Sequence, residues 1–177
     1  MQHKLPGSTL QVKDRVPEAA ETLLSALFAG GDLMLSQVSH IAGLEPHVIQ
    51  NWVARGFVSP PRMKRYSRRQ LSRIMIIHML KSVLQLDEIC RLLAYINGHL
   101  NDERDDIVDD AKLYMYLLRL IFSDEAPDYE ALLEDYSEPF PGAKTRVAHV
   151  LSIMVTAYAS AELKEQAAAL IAGLDEM

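Results

Sequence analysis

Glycine and proline interrupt one part of the chain so closely that no long helix fits there. Gly43 and Gly56 lie thirteen residues apart, with Pro46 between them. Pro60 and Pro61 follow shortly afterwards. Glycine often ends a helix in the left-handed conformation, and proline is tolerated in a helix only in its first turn. The spacing therefore predicts two short helices and then a segment that is not helical.

The first short helix is predicted over residues 37–42, with Ser36 as its N-cap. The second is predicted over residues 47–55 and is opened by Pro46. Two short helices joined by a tight turn that contains glycine have the outline of a helix-turn-helix. In residues 57–66, Val58 and Tyr66 flank a basic tip, which predicts a small β-hairpin or wing.

Apolar spacing, caps and proline breaks predict helices in most of the remaining chain. Residues 1–16 show no period, and we expect a flexible or loosely docked lead there. Between residues 147 and 159 the chain is apolar at nearly every position, which predicts burial in a bundle or a dimer interface. The further predicted helices cover residues 17–29, 68–83 (capped by Ser67), 86–97, 104–122, 127–136 and 143–174.

The composition is that of a globular protein. Apolar residues make up 49% of the 177 residues and charged residues 24%. No stretch approaches the roughly 18–20 consecutive apolar residues that a membrane span needs, and the N-terminus lacks the apolar run of a secretory signal. The single cysteine, Cys90, excludes an internal disulfide framework. We therefore expect a cytoplasmic protein with no membrane partner.

The charge distribution is uneven along the chain. Residues 34–100 carry nine Lys or Arg against three Asp or Glu, whereas residues 101–177 carry six against seventeen. Residues 55–73 alone hold seven basic residues and no acid. Since a surface potential follows nearby charges within roughly 8–10 Å, the basic segment can bind a polyanion although the chain has a net charge of −6.

The order of these features resembles the MerR-type winged helix-turn-helix. The resemblance covers Leu35 to Leu93 and rests on ordered signals: the Gly43 and Gly56 helix ends, Pro46, the Ser59-Pro60-Pro61-Arg62 run, Tyr66-Ser67, and the Leu86-Asp87-Glu88-Ile89 run before Leu92-Leu93. The chain also resembles a bacterial family of unknown function in which such a module is joined to a helical C-terminal part. These resemblances imply a mainly α fold with a winged helix-turn-helix followed by a helical bundle.

Three regions follow from this interpretation. Residues 1–33 are the N-terminal lead and helix, residues 34–100 the winged helix-turn-helix, and residues 101–177 an acidic helical bundle for dimerisation or regulation. The implied function is a sequence-specific transcriptional regulator that binds double-stranded DNA as a homodimer. The dimer is expected to form through apolar helices at 107–122 and 146–172.

The resemblance places a recognition helix at residues 46–55 in the major groove and the wing at residues 60–66 on the DNA backbone. Polar residues of the helix would contact bases, and basic residues of the wing and of the next helix would contact phosphates. The candidate DNA-binding residues are His47, Gln50, Asn51, Arg55, Arg62, Lys64, Arg65, Arg68, Arg69 and Arg73.

The sequence departs from the MerR pattern at Gln50-Asn51-Trp52, where the family usually has Arg-Tyr-Tyr. Its wing and the helix that follows residue 98 are also shorter. These departures, with the acidic C-terminal half, favour an alternative in which the winged fold is a protein-interaction adaptor. Trp52 is expected in the core at its helical spacing.

Neither catalysis nor metal binding has a positive signal in the sequence. The histidines lack zinc-ligand spacing and no catalytic motif is present, so we expect neither an enzyme nor a cofactor. The acids of residues 101–110 are interpreted as an acidic helix start rather than a cation site. A small-molecule effector in the C-terminal bundle stays open, with four residues that could line a pocket or belong to the core: Tyr114, Met115, Tyr116 and Tyr158.

Overall fold

The computed structural model describes residues 2–176, so Met1 of the predicted lead and Met177 of the predicted bundle lie outside it. Helices account for 61% of the chain, which confirms the mainly α prediction. The eight α-helices of the described part are α1 (Pro17–Leu27), α2 (Leu35–Ala42), α3 (Pro46–Ala54), α4 (Arg68–Leu80), α5 (Leu86–Asn97), α6 (Asp110–Phe122), α7 (Tyr129–Leu132) and α8 (Ala143–Ala172). The strands are β1 (His3–Lys4), β2 (Gln11–Val12), β3 (Leu33–Met34) and β4 (Arg65–Tyr66), and 3₁₀ turns cover Glu103–Asp105 and Gly173–Glu176.

One hydrophobic core joins all three predicted regions, and α4 lies at its centre. The core extends along the chain from Leu5 to Ala157, and α4 contacts α2, α5, α6 and α8. Ser67 caps α4, as predicted, and Gln70 completes a capping box. The Ser67 hydroxyl accepts a hydrogen bond from the Gln70 amide at 3.3 Å, and the Gln70 side-chain oxygen accepts one from the Ser67 amide at 2.8 Å. From Gln70 to Ile77 every residue of α4 is buried, because other elements surround the helix.

The N-terminal lead is docked on the core. β1 pairs antiparallel with β2, and the hairpin between them buries the Leu5 side chain completely. The Tyr114 hydroxyl donates to the Pro6 carbonyl at 2.8 Å. Gly7 has φ +67, and a Cβ at this position would overlap the carbonyl oxygen of Met75. The sequence did not predict this strand pair, because strands of two residues are too short to show an alternating pattern.

The acidic segment before α6 does not form the predicted helix from residue 104. A 3₁₀ turn comes first, and α6 begins only at Asp110, after Asp109 accepts hydrogen bonds from the amides of Ala111 and Lys112 at 2.8 and 3.2 Å. Between the two, the Ile107 amide bonds the carbonyl of Ile96 in α5 at 3.2 Å. An Asp N-cap stops a helix from extending towards its N-terminal side. The acidic residues before Asp109 therefore lie outside α6.

α8 is continuous, but its burial is one-sided and ends halfway along. Ile153 is 37% exposed, so the protein's own core buries residues 147–159 on one side only, and burial of the other side in a dimer interface stays a prediction. Every residue from Glu162 to Leu174 is exposed. α7 is shorter than predicted because Asp128 caps it at Tyr129. Among the helices described, none combines the length and apolar content that crossing a bilayer requires.

Candidate nucleic-acid interface

α2 ends and α3 begins at the glycine and the proline from which the two short helices were predicted. α2 ends at Gly43, whose φ of +66 is available to glycine without steric cost. The chain then turns through Glu45 into Pro46, which occupies the first turn of α3, where its missing N–H breaks no helical bond. α2 and α3 pack against each other, and α2 also packs against α4. This packing fixes the direction of α3 relative to the core.

α3 has one buried face and one polar face. Ile49 is fully buried and Trp52 is 2% exposed, which confirms Trp52 as a core residue. The Arg55 guanidinium carbon lies 4.6 Å from the centre of the Phe57 ring, and such stacking holds the charge in place. The candidate residues on this helix, all exposed, are His47, Gln50, Asn51 and Arg55.

The segment predicted as a wing, which keeps that name below, contains a tight turn and the strand β4, but the partner strand of β4 differs from the prediction. β4 pairs antiparallel with β3, which directly precedes α2, in the register Leu33 with Tyr66 and Met34 with Arg65. Val58 was expected to flank the hairpin and is instead a fully buried core residue. The sequence could not show this pairing, because two-residue strands carry no alternation.

A tight turn forms the tip of the wing. The Arg65 amide donates to the Arg62 carbonyl at 2.8 Å, and the two residues form an isolated β-bridge. Met63 and Lys64 lie between them at φ 50° and 62°. Positive φ at both central residues is typical of a type I′ hairpin turn. The basic side chains of Arg62, Lys64 and Arg65 are all exposed there.

Arg68 is committed to an ion pair inside the protein. Its two terminal nitrogens donate to the Glu21 carboxylate of α1 at 2.8 and 2.6 Å. Arg68 thereby lowers the pKa of the Glu21 carboxyl, chiefly through the hydrogen bond. A bidentate pair of this kind leaves few guanidinium N–H groups free to bind a phosphate.

Arg69 and Arg73 are held by the acidic segment before α6. Arg73 is 3% exposed and donates through Nε to Asp110 at 2.8 Å. Arg69 pairs with Asp106 and also has Asp109 and Asp110 within 3.6 Å. Burial raises the pKa of the Asp110 carboxyl, and Arg73 opposes that rise.

The prediction that Arg68, Arg69 and Arg73 extend the DNA contact is therefore corrected. Their charges are neutralised by carboxylates from α1 and from residues 106–110. In contrast, Arg55, Arg62, Lys64 and Arg65 form no salt bridge with any residue that the structure describes. The exposed candidate surface consists of seven residues in two groups, one on α3 and one on the wing.

Two cavities lie close to the wing and to α8, respectively. One, of about 550 Å³, lies beside the wing and mixes charges, with Arg62, Arg65 and Arg104 facing Asp102 and Glu103. The other, of about 500 Å³, lies between the N-terminal hairpin and α8 and includes Tyr158 in its wall. Tyr114 and Tyr116, the other tyrosines considered for a pocket, are buried in the core.

No metal-binding or reactive cysteine site emerges near these surfaces. Over residues 2–176, no group of three His, Cys, Asp or Glu side chains is arranged to hold a metal ion. Cys90 is half-buried, and burial raises the pKa of its thiol, which disfavours the reactive thiolate.

Met63 is an eighth exposed residue of this surface, beside the seven predicted from the sequence. It is 95% exposed between Arg62 and Lys64. The sequence feature that could have identified Met63 is an apolar residue at the centre of a basic turn. A side chain at such a position lies too far from the core to be buried. The other members of the surface were identified from the sequence.

The fold and surface define a mainly helical protein in which two short helices and a basic hairpin project from one core. The chain belongs to the family DUF1836, a domain of unknown function, which matches residues 14–117. This range includes α1 to α5, the wing and most of α6. No curated protein and no solved structure matches the chain.

The pair between Arg73 and Asp110 gives a test of the structural role of the arginine. Arg73→Met removes the charge while keeping most of the side-chain volume, and it leaves Asp110 buried with weaker partners. We expect the free energy of unfolding, measured by urea denaturation, to fall by about 3 kcal/mol. Arg62→Met on the exposed wing is the control and should change it by less than about 0.5 kcal/mol. Equal effects of the two substitutions would contradict the assignment.

Proposed function

We propose that the protein is a sequence-specific transcriptional regulator that binds double-stranded DNA, with α3 in the major groove and the wing on the backbone. The observation that supports this most is the separation of seven exposed side chains into two chemical groups. Those on α3 are mostly hydrogen-bonding groups suited to base edges, and those on the wing are cations suited to phosphates. Base contacts specify a sequence, and phosphate contacts position the protein.

The α3 group fits direct readout. Gln50 and Asn51 are exposed on adjacent positions, and both side chains can form two hydrogen bonds with adenine. Arg55 can do the same with guanine or bind a phosphate. α3 is nine residues long, and the diameter of an α-helix with its side chains, roughly 10–12 Å, fits the major groove width of roughly 12 Å.

The wing group fits backbone contact. Arg62, Lys64 and Arg65 bring three positive charges to one tight turn. The hairpin is rigid at its base, because the Arg65 guanidinium donates to the Asp32 carbonyl at 3.0 Å. Neutralising phosphates releases counterions, so this contact should make binding strongly dependent on salt.

Of the two segments expected to form the homodimer, 107–122 and 146–172, only the second leaves an exposed apolar surface. α6 is buried in the protein's own core along most of its length, so residues 107–122 are not available to a partner. The exposed half of α8 instead carries an apolar stripe at Leu163, Ala167 and Leu170, and Leu174 follows in the adjoining 3₁₀ turn. Their spacing alternates between four and three residues, which is the pattern of a coiled-coil seam.

This stripe points away from the rest of the protein. Tyr158, Ala161, Glu162 and Glu165 line the cavity against the N-terminal hairpin, so this side of α8 faces the body. On a helix of 3.6 residues per turn, Leu163 and Leu170 lie on the other side. A seam of this kind is self-complementary, and a second copy is its simplest occupant. Paired copies would read paired half-sites.

A protein-interaction adaptor remains the second candidate. The exposed apolar side of α8 favours it, because apolar stripes of this kind dock protein partners as well as second copies. The neutralisation of three of the seven basic residues of segment 55–73 also reduces the surface available to DNA. The adaptor predicts no duplex binding at low salt.

The wing contact is tested by reversing its charges. Arg62→Glu, Lys64→Glu and Arg65→Glu together should weaken binding to every duplex and lower the slope of log affinity against log salt by about 2.7, since each phosphate contact contributes about 0.9. Fluorescence anisotropy on a pool of random duplexes, from low to physiological salt, measures both. The control reverses Lys4, Lys13 and Arg91, exposed residues outside the interface. Equal losses would remove the wing from the proposal, and no binding by the wild type would favour the adaptor.

The α3 contact is tested by its effect on sequence preference. Gln50→Ala with Asn51→Ala should abolish the preference at the bases they contact, a discrimination of about 1–3 kcal/mol for each bidentate pair. Nonspecific affinity should change much less. Selection and sequencing of the bound fraction measures the preference, with Gln11→Ala and Gln166→Ala as the control. An unaltered sequence profile in the α3 variant would show that this helix does not read bases.

The dimer is tested on its proposed seam. Leu163→Lys with Leu170→Lys removes two leucines from each copy, and at about 1.5 kcal/mol or more for each buried leucine the dissociation constant should rise at least a thousandfold. Sedimentation equilibrium measures the change. Ala168→Lys with Ala172→Lys adds the same charge on the other side of the helix and should leave the dimer intact. A monomeric wild type at micromolar concentration would contradict the proposal.

A further inference from the structure

Met63 at the tip of the wing is the most exposed of the large apolar side chains that the structure describes. It is 95% exposed, whereas the next, Leu170, is 76% exposed. Isolated apolar residues are common on protein surfaces and need no explanation by themselves. Met63 differs because of its backbone conformation and its charged neighbours.

The backbone at the tip is held in a conformation that suits neither of its residues. Met63 and Lys64 have φ values of 50° and 62°, in the left-handed region that L-residues other than Asn and Asp seldom adopt. The usual sequences for this turn are Asn-Gly and Asp-Gly. Residues held in such conformations often mark functional sites. At the tip of the wing, this unfavourable conformation occurs at a methionine whose side chain is almost fully exposed.

The base of the wing is fixed well enough to present this tip rigidly. Tyr66 is 3% exposed and pairs with Leu33 in the β3–β4 ladder. The Gln70 side chain donates to the Pro60 carbonyl at 3.0 Å, which holds the segment that leads into the turn. A wedge must be rigid in this way, because a mobile side chain would lose more entropy on insertion.

The charges around Met63 match the surroundings of a DNA groove. Arg62 and Lys64 flank it and Arg65 follows, and none of the three forms a salt bridge within the described part of the chain. The two edges of a minor groove are rows of phosphates, and its floor consists of stacked base pairs. A cationic turn with one apolar residue at its centre is complementary to this arrangement.

We propose that Met63 is a wedge that enters the minor groove between two base pairs and kinks the duplex, while Arg62 and Lys64 bind the phosphates on either side. The inference rests on the proposed DNA-binding function and adds the deformation of DNA to it. Apolar side chains inserted in this way partly unstack one base step and bend the duplex by roughly 20–90°. Since pyrimidine–purine steps unstack most easily, the wedge selects such a step without a hydrogen bond to any base.

An anionic membrane is the other surface that a basic apolar tip can contact. One methionine has much less apolar surface than a single acyl chain, and even one such chain binds a bilayer only marginally. The duplex is favoured because α3 supplies independent contacts that would hold the wing in position.

The experiment uses the full-length protein and the duplex recovered by selection from the random pool. A donor and an acceptor at the duplex ends report bending, and 2-aminopurine placed at successive steps reports unstacking. The wild type should shorten the end-to-end distance and raise 2-aminopurine fluorescence at one step. Met63→Asn should keep affinity within about tenfold and lose both signals, because Asn suits the left-handed turn but is polar. Met63→Leu is the matched apolar variant and should retain both.

The outcomes separate this inference from the function on which it rests. Binding by the wild type without bending or unstacking overturns the wedge and leaves DNA binding in place. Equal signals from Met63→Asn and the wild type also overturn the wedge. No binding to any duplex overturns both. Binding to phosphatidylserine vesicles that Met63→Asn abolishes, with no kink in DNA, would assign the tip to a membrane.

Discussion

The buried pair between Arg73 on α4 and Asp110 on α6 connects the two halves of the chain. Both side chains are almost fully excluded from solvent, and the Arg73 guanidinium also donates to the Phe57 carbonyl at 3.4 Å, just before the wing. Taking one of these charges out of water alone would cost far more than the pair does together. The start of α6, the direction of α4 and the base of the wing are therefore fixed by the same few atoms.

This pairing also changes the meaning of the charge distribution. Along the sequence, a basic segment is followed by an acidic one, and the two look like separate surfaces. In the fold, the carboxylates of residues 106–110 neutralise Arg69 and Arg73, and Glu21 neutralises Arg68. Within residues 55–73, the positive charge that remains exposed is limited to Arg55 and the wing, so the candidate interface is smaller and more localised than the sequence indicates.

Local signals predicted the helices well. α5 has the bounds predicted, α3 is displaced by one residue, and Ser67 caps α4 as expected. These features depend on residues within one or two turns of each other. The exposed residues of α3 and the wing were also identified, because their polarity and helical spacing are local properties.

Features that depend on distant partners were not predictable in this way. The partner of β4 precedes it by about thirty residues, and Arg73 meets Asp110 across 37 positions. No local pattern distinguishes an arginine that will be buried against an aspartate from one that will meet solvent. The late start of α6 has the same origin, since Asp106 to Val108 are held by contacts with Arg69 and the end of α5.

The docked N-terminal hairpin has a consequence for the order of folding. Its Pro6 carbonyl bonds Tyr114, 108 residues later in the chain, and Gly7 packs against Met75. Contacts of such long sequence separation form slowly, because a large loop must close first. During synthesis, the residues of this hairpin thus leave the ribosome well before their partners, and they can dock only once α6 has emerged.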